Sequence, residues 1–238
     1  MKIESAYFSR SGPKRDNQDS VLPLFEVGGA YWAAIADGMG GRVGGAIASR
    51  TAIDAIRERI ELNPEIEIPG LFSFVHEMLK AAAQRQPDLE TMGTTLSLIH
   101  VCQEKGFVGH VGDSRIYHLR GDGLLDRTVD QTEVEHLIQH GVLNKASARR
   151  YARRNILLSV LSPAKNYDLH EETFDIAQGD RLILVTDGVS SKVLRQEIRN
   201  LSLQYPNPEE FCHALATQVD ERAPRDDFSA VCLDIKSL

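Results

Sequence analysis

Twice in this chain of 238 residues a strand-like, mostly apolar run stops at an Asp-Gly pair. Tyr31-Trp32-Ala33-Ala34-Ile35-Ala36 ends on Asp37-Gly38, and Arg181-Leu182-Ile183-Leu184-Val185-Thr186 ends on Asp187-Gly188. Short runs of this kind, bounded by Gly, Asp or Ser, read as strands. Glycine lets the backbone turn and approach where a side chain would clash, so each carboxylate is delivered at a strand end. Four further runs have the same character: 94–101, 106–111, 114–119 and 228–235.

Helical segments lie between these strands. Residues 44–60 carry Ile47, Ile53, Ile56 and Ile60 near a 3.6-residue stripe. Residues 71–86 carry Leu71, Phe74, Val75, Met78, Leu79 and Ala82 before Pro87 stops the helix. Thr132 with Glu135 predicts a capping box ending at Gly141, a short helix follows over 145–154, and Asn207-Pro208 opens another. The strands come in consecutive runs and do not alternate strictly with helices. That order predicts an α+β fold with mostly antiparallel sheets, in a single domain without linker or repeat.

Composition narrows the function. With 42% hydrophobic and 26% charged residues the chain folds as an ordinary globule, and its net charge of −7 disfavours nucleic acid as a partner. No apolar stretch approaches the ~20 residues of a membrane helix, and the first residues lack a signal-peptide core. Cys102, Cys212 and Cys232 are scattered without metal-ligand spacing, which predicts free thiols and a cytoplasmic protein.

The Asp-Gly pairs have company. Asp226-Asp227 precedes the strand at 228, and Asp16-Asn17-Gln18-Asp19 stands near the N-terminus. Each pair alone reads as a solvated turn. Together, carboxylates at strand ends with no matching His or Cys cluster describe an oxygen-only site for Mg²⁺ or Mn²⁺. Two such ions ~3.5–4 Å apart support an in-line displacement at phosphorus. Neither a Rossmann nor a Walker pattern is present, so the glycines after Asp37 do not predict a nucleotide site.

Six motifs in order resemble the type 2C protein phosphatases over nearly the whole chain. They are Asn17-Gln18-Asp19, Asp37-Gly38-Met39-Gly40-Gly41, Thr91-Met92-Gly93-Thr94-Thr95, and Gly109-His110-Val111-Gly112-Asp113-Ser114-Arg115. Gly179-Asp180 to Asp187-Gly188 and Arg225-Asp226-Asp227-Phe228-Ser229 complete the set. Met39 resembles the bacterial branch of the family. The resemblance implies a central antiparallel β-sandwich flanked by α-helices on both sides, with a flap-like segment over about 128–166. It implies a metal-dependent protein serine/threonine phosphatase in which metal-bound water attacks phosphoserine or phosphothreonine directly, without a phosphoenzyme. The alternative is a catalytically weak binding or regulatory module on the same fold.

Carried over by position, the resemblance has Asp37 bridge two ions, with the Gly38 carbonyl on the first and Asp187 and Asp226 on the second. Asp19 would hold first-site waters, and Asp113 is the candidate for a weak third ion. The competing reading of Asp113 is a hairpin turn between two strands, its carboxylate saturated by Arg115. Asp226 is preferred to Asp227 because the family's aspartate stands four residues before the position of Ala230. The family's phosphate-binding Arg falls on Lys14, with Arg15 one position later; a lysine lacks the planar two-pronged grip of arginine. Ser191 stands where the family often has an Asp, which weakens a third ion; Gln18 stands where it often has a Glu that holds metal-bound water, and neither change removes a direct ligand.

Implied partners are phosphorylated Ser/Thr proteins, substrates of a partner kinase. Arg149, Arg150, Arg153 and Arg154 read first as a solvated helix face and second as a docking surface for acidic phosphopeptides. His110, His136 and His140 lack the companions of a zinc set. Trp32 reads as core.

Overall fold

The computed structural model describes residues 1–13 and 16–238, and the side chains of all of these except 41–43. Two antiparallel sheets face each other. One runs β1 (Lys2–Arg10), β11 (Phe228–Ser237), β10 (Arg181–Val185), β7 (Arg115–Arg120), β8 (Gly123–Asp126). The other runs β2 (Asp19–Val27), β3 (Ala30–Met39), β5 (Leu96–Cys102), β6 (Lys105–Val111), β9 (His170–Asp175), with β4 (Gly93–Thr94) on the end of β3.

The long apolar runs follow from helices covering the outer face of each sheet. In β3, Tyr31, Ala33 and Ile35 point between the sheets, while Trp32, Ala34 and Ala36 point toward α1 (Gly41–Leu62) and α2 (Ile68–Arg85). In β10, Leu182 and Leu184 face inward, while Ile183 and Val185 face α6 (Arg195–Gln204) and α7 (Pro208–Glu221). A strand buried on both faces has no polar alternation to show, because successive side chains serve two different cores. The layers are therefore helix, sheet, sheet, helix, the flanked sandwich that the motifs implied.

Between β8 and β9, residues 128–166 hold two short helices, α3 (Glu133–Gln139) and α4 (Lys145–Ala148). Thr132 caps α3 by accepting from the Glu135 amide at 3.3 Å, and Gly141 leaves it at φ +71°. The helix expected over 145–154 stops at Ala148. Beyond its Asn144 cap that stretch buries only Ala148, and a helix this short needs an apolar face to survive.

Two expectations fail around Asp113. The turn at Gly112–Ser114 is no hairpin: β6 pairs with β5 and β9, while β7 pairs with β10 and β8, so the turn crosses from one sheet to the other. Arg115 does not saturate Asp113 either. Its Nε and Nη2 grip the two oxygens of Asp130, at 2.8 and 2.6 Å.

Candidate metal centre

Antiparallel pairing sets the floor of the site. Asp19, the first residue of β2, stands opposite Asp37 on β3. Asp37 is fixed by its backbone. Its amide donates to Thr95 Oγ1 at 3.0 Å, while its carbonyl accepts from the Thr95 amide at 2.8 Å and Thr94 Oγ1 at 3.0 Å. Ser114 Oγ lies 2.9 Å from Thr95 Oγ1, tying this floor to the Asp113 turn. Gly38 next door has no room for a side chain, since a Cβ would stand 2.0 Å from the Gly45 carbonyl oxygen. The third motif, Thr91 to Thr95, thus serves to hold Asp37, a role its sequence did not suggest.

Asp19 is buried and one-sided. Its Oδ2 accepts from Thr186 Oγ1 at 2.9 Å and Ser229 Oγ at 2.7 Å, whereas among the described residues its Oδ1 has no hydrogen-bond partner. Asp187 opens the four-residue helix α5 (Asp187–Ser190) directly after Thr186. A Cβ on Gly188 would stand 1.9 Å from the Asp227 carbonyl oxygen, so only glycine lets the two chain segments touch.

The two adjacent aspartates before β11 do different work. Asp227 is buried and accepts from the Gly12 and Gln18 amides, at 2.9 and 2.8 Å, which ties the N-terminal loop down. Asp226 is half-buried and near enough to raise Asp37 electrostatically. Lys14 and Arg15 lie outside the described residues.

These carboxylates act on one another. Burial pushes Asp37 well above the carboxylate range, and Asp19, Asp187, Asp113 and Asp226 push it further. Burial lifts Asp19 to about 7 against the Ser229 and Thr186 hydroxyls, helped by Asp227 and Asp187. Asp113 is lifted to about 7 by burial, then by Asp187 and Asp130. Like charges gathered in a partly dehydrated place are costly unless protons or cations balance them.

The donor set fits hard divalent cations: carboxylate oxygens, one of them buried with no hydrogen-bond partner, and nearby backbone carbonyls. Among the described residues, no group of three or more His, Cys, Asp or Glu side chains is drawn close enough together to hold a metal ion. His110 is buried and pushed down to about 4, a neutral ring bonded to Ser97 at 2.8 Å and not a member of the set.

A helix-sheet-sheet-helix sandwich with an acidic, oxygen-only site at one end defines a class of protein built to hold divalent cations. The family is equally plain: the model for protein phosphatase 2C matches residues 12–225, and the chain belongs to that family. The serine/threonine protein phosphatase PstP of Mycobacterium tuberculosis is 30% identical over 229 residues, covering 93% of this chain and 43% of that protein. The chain thus spans under half the length of that relative. The serine/threonine phosphatase stp of Listeria innocua is 28% identical over 208 residues, 84% of this chain and 82% of that one. A crystal structure of the M. tuberculosis PstP phosphatase superposes with a TM-score of 0.89 at 30% identity, covering 99% of both chains. A PstP catalytic domain in complex with two manganese ions gives 0.85 at 29% identity, again with 99% of each chain covered.

Proposed function

We propose that this protein is a metal-dependent protein serine/threonine phosphatase using two divalent cations, Mg²⁺ or Mn²⁺. The observation that carries this is the cluster of Asp19, Asp37 and Asp113 at one end of a type 2C fold, whose carboxyls burial, and then neighbouring carboxylates, push above the ordinary range. The PstP complex with two manganese ions supports the count of two and an oxygen-liking metal. When bound, the cations activate water as the nucleophile and offset the charge that builds on the phosphoryl oxygens.

The chain's own part is positioning. Asp37, a proposed metal ligand, has its backbone held by three hydrogen bonds with Thr94 and Thr95, which fixes the point from which its carboxylate would reach a cation. The Gly38 carbonyl, Asp187 and Asp226 are the other proposed direct ligands. Asp19, anchored by two hydroxyls through Oδ2, is proposed to orient bound waters with Oδ1. Asp113 is proposed as the ligand of a weaker third ion, a reading helped by Arg115 being engaged with Asp130. Lys14 or Arg15 would meet the substrate phosphate.

Residues 1–238 read as one catalytic unit with 128–166 as its flap. Substrates would be phosphoserine and phosphothreonine proteins made by a serine/threonine kinase of the same cell. Three free cysteines support action in the reducing cytoplasm. Among the described residues no helix is long and apolar enough to cross a membrane.

The test is hydrolysis of p-nitrophenyl phosphate and a phosphothreonine peptide with Mn²⁺, Mg²⁺ or EDTA, by wild type and Asp37→Asn. Turnover should need the metal, vanish with EDTA, and fall by roughly two orders of magnitude or more in the variant. Folded wild-type protein with no turnover under either ion would leave the binding-module reading in its place.

A further inference from the structure

The site chemistry makes no use of the basic turn at 149–154. Residues 128–166 contain six Lys or Arg and three Asp or Glu, in a chain whose net charge is −7. Two of those three acids are already engaged. Asp130 holds Arg115, and Glu133 accepts from Arg153 Nη2 at 2.6 Å and from the Tyr151 hydroxyl. Arg149, Arg150 and Arg154 remain exposed, and among the described residues none of them has an ion-pair partner. Arg154 Nη1 donates to the Arg149 carbonyl at 3.0 Å, which holds the Arg154 guanidinium against the backbone at Arg149. They sit in turns and not on the helix face that the sequence suggested, so no apolar stripe dictates where they point.

The segment 128–166 that carries this turn is tethered beside the candidate metal centre at two places, Gln131 and Leu161. The Gln131 amide donates to the Gly112 carbonyl, and the Gly112 amide to Gln131 Oε1, each at 2.8 Å and one residue from Asp113. Leu161 and Thr94 exchange backbone bonds at 2.9 and 3.0 Å, and Thr94 pairs with Gly38. Glu133, which holds Tyr151 and Arg153, lies two residues from Gln131. An extended peptide reaches ~17 Å over about five residues, so residues flanking a bound phosphoresidue extend well beyond the metal centre.

We propose that Arg149, Arg150 and Arg154 form a docking surface for acidic residues flanking the phosphorylated Ser or Thr, so that acidic phosphoproteins are the preferred substrates. This rests on the phosphatase reading above. Guanidinium groups pair with carboxylates in a planar, two-pronged fit, and a basic face on an acidic molecule steers acidic partners toward it.

The experiment compares kcat/KM for phosphothreonine peptides with acidic and with neutral flanks, each normalised to p-nitrophenyl phosphate, which has no flanks to dock. Wild type should favour the acidic peptide by roughly 10-fold at low salt, with the preference shrinking as salt rises. Arg149→Ala/Arg150→Ala/Arg154→Ala should bring the ratio near one, and the matching Lys triple should keep most of it. A wild type that turns over p-nitrophenyl phosphate yet shows no preference overturns the docking surface while leaving the phosphatase reading intact. So does a triple Ala variant that retains the preference. Loss of vesicle binding (phosphatidylserine/phosphatidylcholine) in the triple variant, without any peptide preference in wild type, would assign the arginines to a lipid surface instead.

Discussion

Asp19 is satisfied on one oxygen and bare on the other. Thr186 and Ser229 hold Oδ2, while Oδ1 is buried near other carboxylates and, among the described residues, without a hydrogen-bond partner. An asparagine could keep the two hydroxyl bonds through its carbonyl oxygen and would drop the charge. Asp19→Asn should therefore raise the Tm of the metal-free protein at pH 7.5 by a few degrees, by relieving repulsion. The same variant should lose roughly 10–100-fold in Mn²⁺ affinity by isothermal titration calorimetry. Unchanged affinity would remove Asp19 from the site.

Strand β10 carries the site at one end and a different ionic device at the other. Arg181 is in register with Asp234 on β11 and binds it through two contacts, at 2.6 and 2.8 Å. The same guanidinium donates to the carbonyls of Tyr205 and Pro206, at 2.9 and 2.8 Å, and lies 4.8 Å over Phe211. One side chain thus pins the turn between α6 and α7 onto the sheet. Asp234→Ala would leave a buried, largely dehydrated arginine without its carboxylate, a change that costs about 3–5 kcal/mol. Urea denaturation reads the loss, and Mn²⁺ affinity of the folded variant should stay near wild type because the pair is at the far end from Asp37. A cost below ~1 kcal/mol would mean that the carbonyls alone hold Arg181.

At the scale of the molecule the site opposes folding in the absence of metal. Asp19 and Asp113 titrate near 7 in the folded protein, against an ordinary value of 3.8. A raised carboxylate pKa means that the folded state holds protons the unfolded state has lost. Site stability is then highest below about pH 4 and falls as pH rises toward 7, beyond which the penalty is complete. Divalent cations compete with those protons and cancel the repulsion. The gain in Tm on adding Mn²⁺ should accordingly be larger at pH 7.5 than at pH 5.5, measured by differential scanning calorimetry. A gain that is flat or falls with pH would contradict the proposed ligand set.

Legibility in the sequence follows the range of the interaction. Strands buried on both faces, such as β3, β10 and β11, announce themselves by continuous apolar runs. Strands β1, β2, β8 and β9 do not, because at least one face of each carries polar or exposed side chains; β9 buries only Phe174. The helix α6 is hidden for the same reason, with Ile198 its one buried residue. The glycines beside Asp37 and Asp187 are readable as close approaches, but what they approach is not.

By itself, then, the sequence determined the strand ends, the aspartates placed on them, and an order of motifs that belongs to one family, since all of these are written in neighbouring residues. Tertiary structure alone decided that Asp227 ties down the loop near Gly12, that the Arg115 guanidinium bonds Asp130 and not Asp113, and that the Asp113 turn crosses between sheets. Each of those outcomes depends on which segments pack together, and Asp227 and Gly12 are 215 residues apart. Charge and hydrogen-bond geometry choose between such partners only once the fold has placed them within reach.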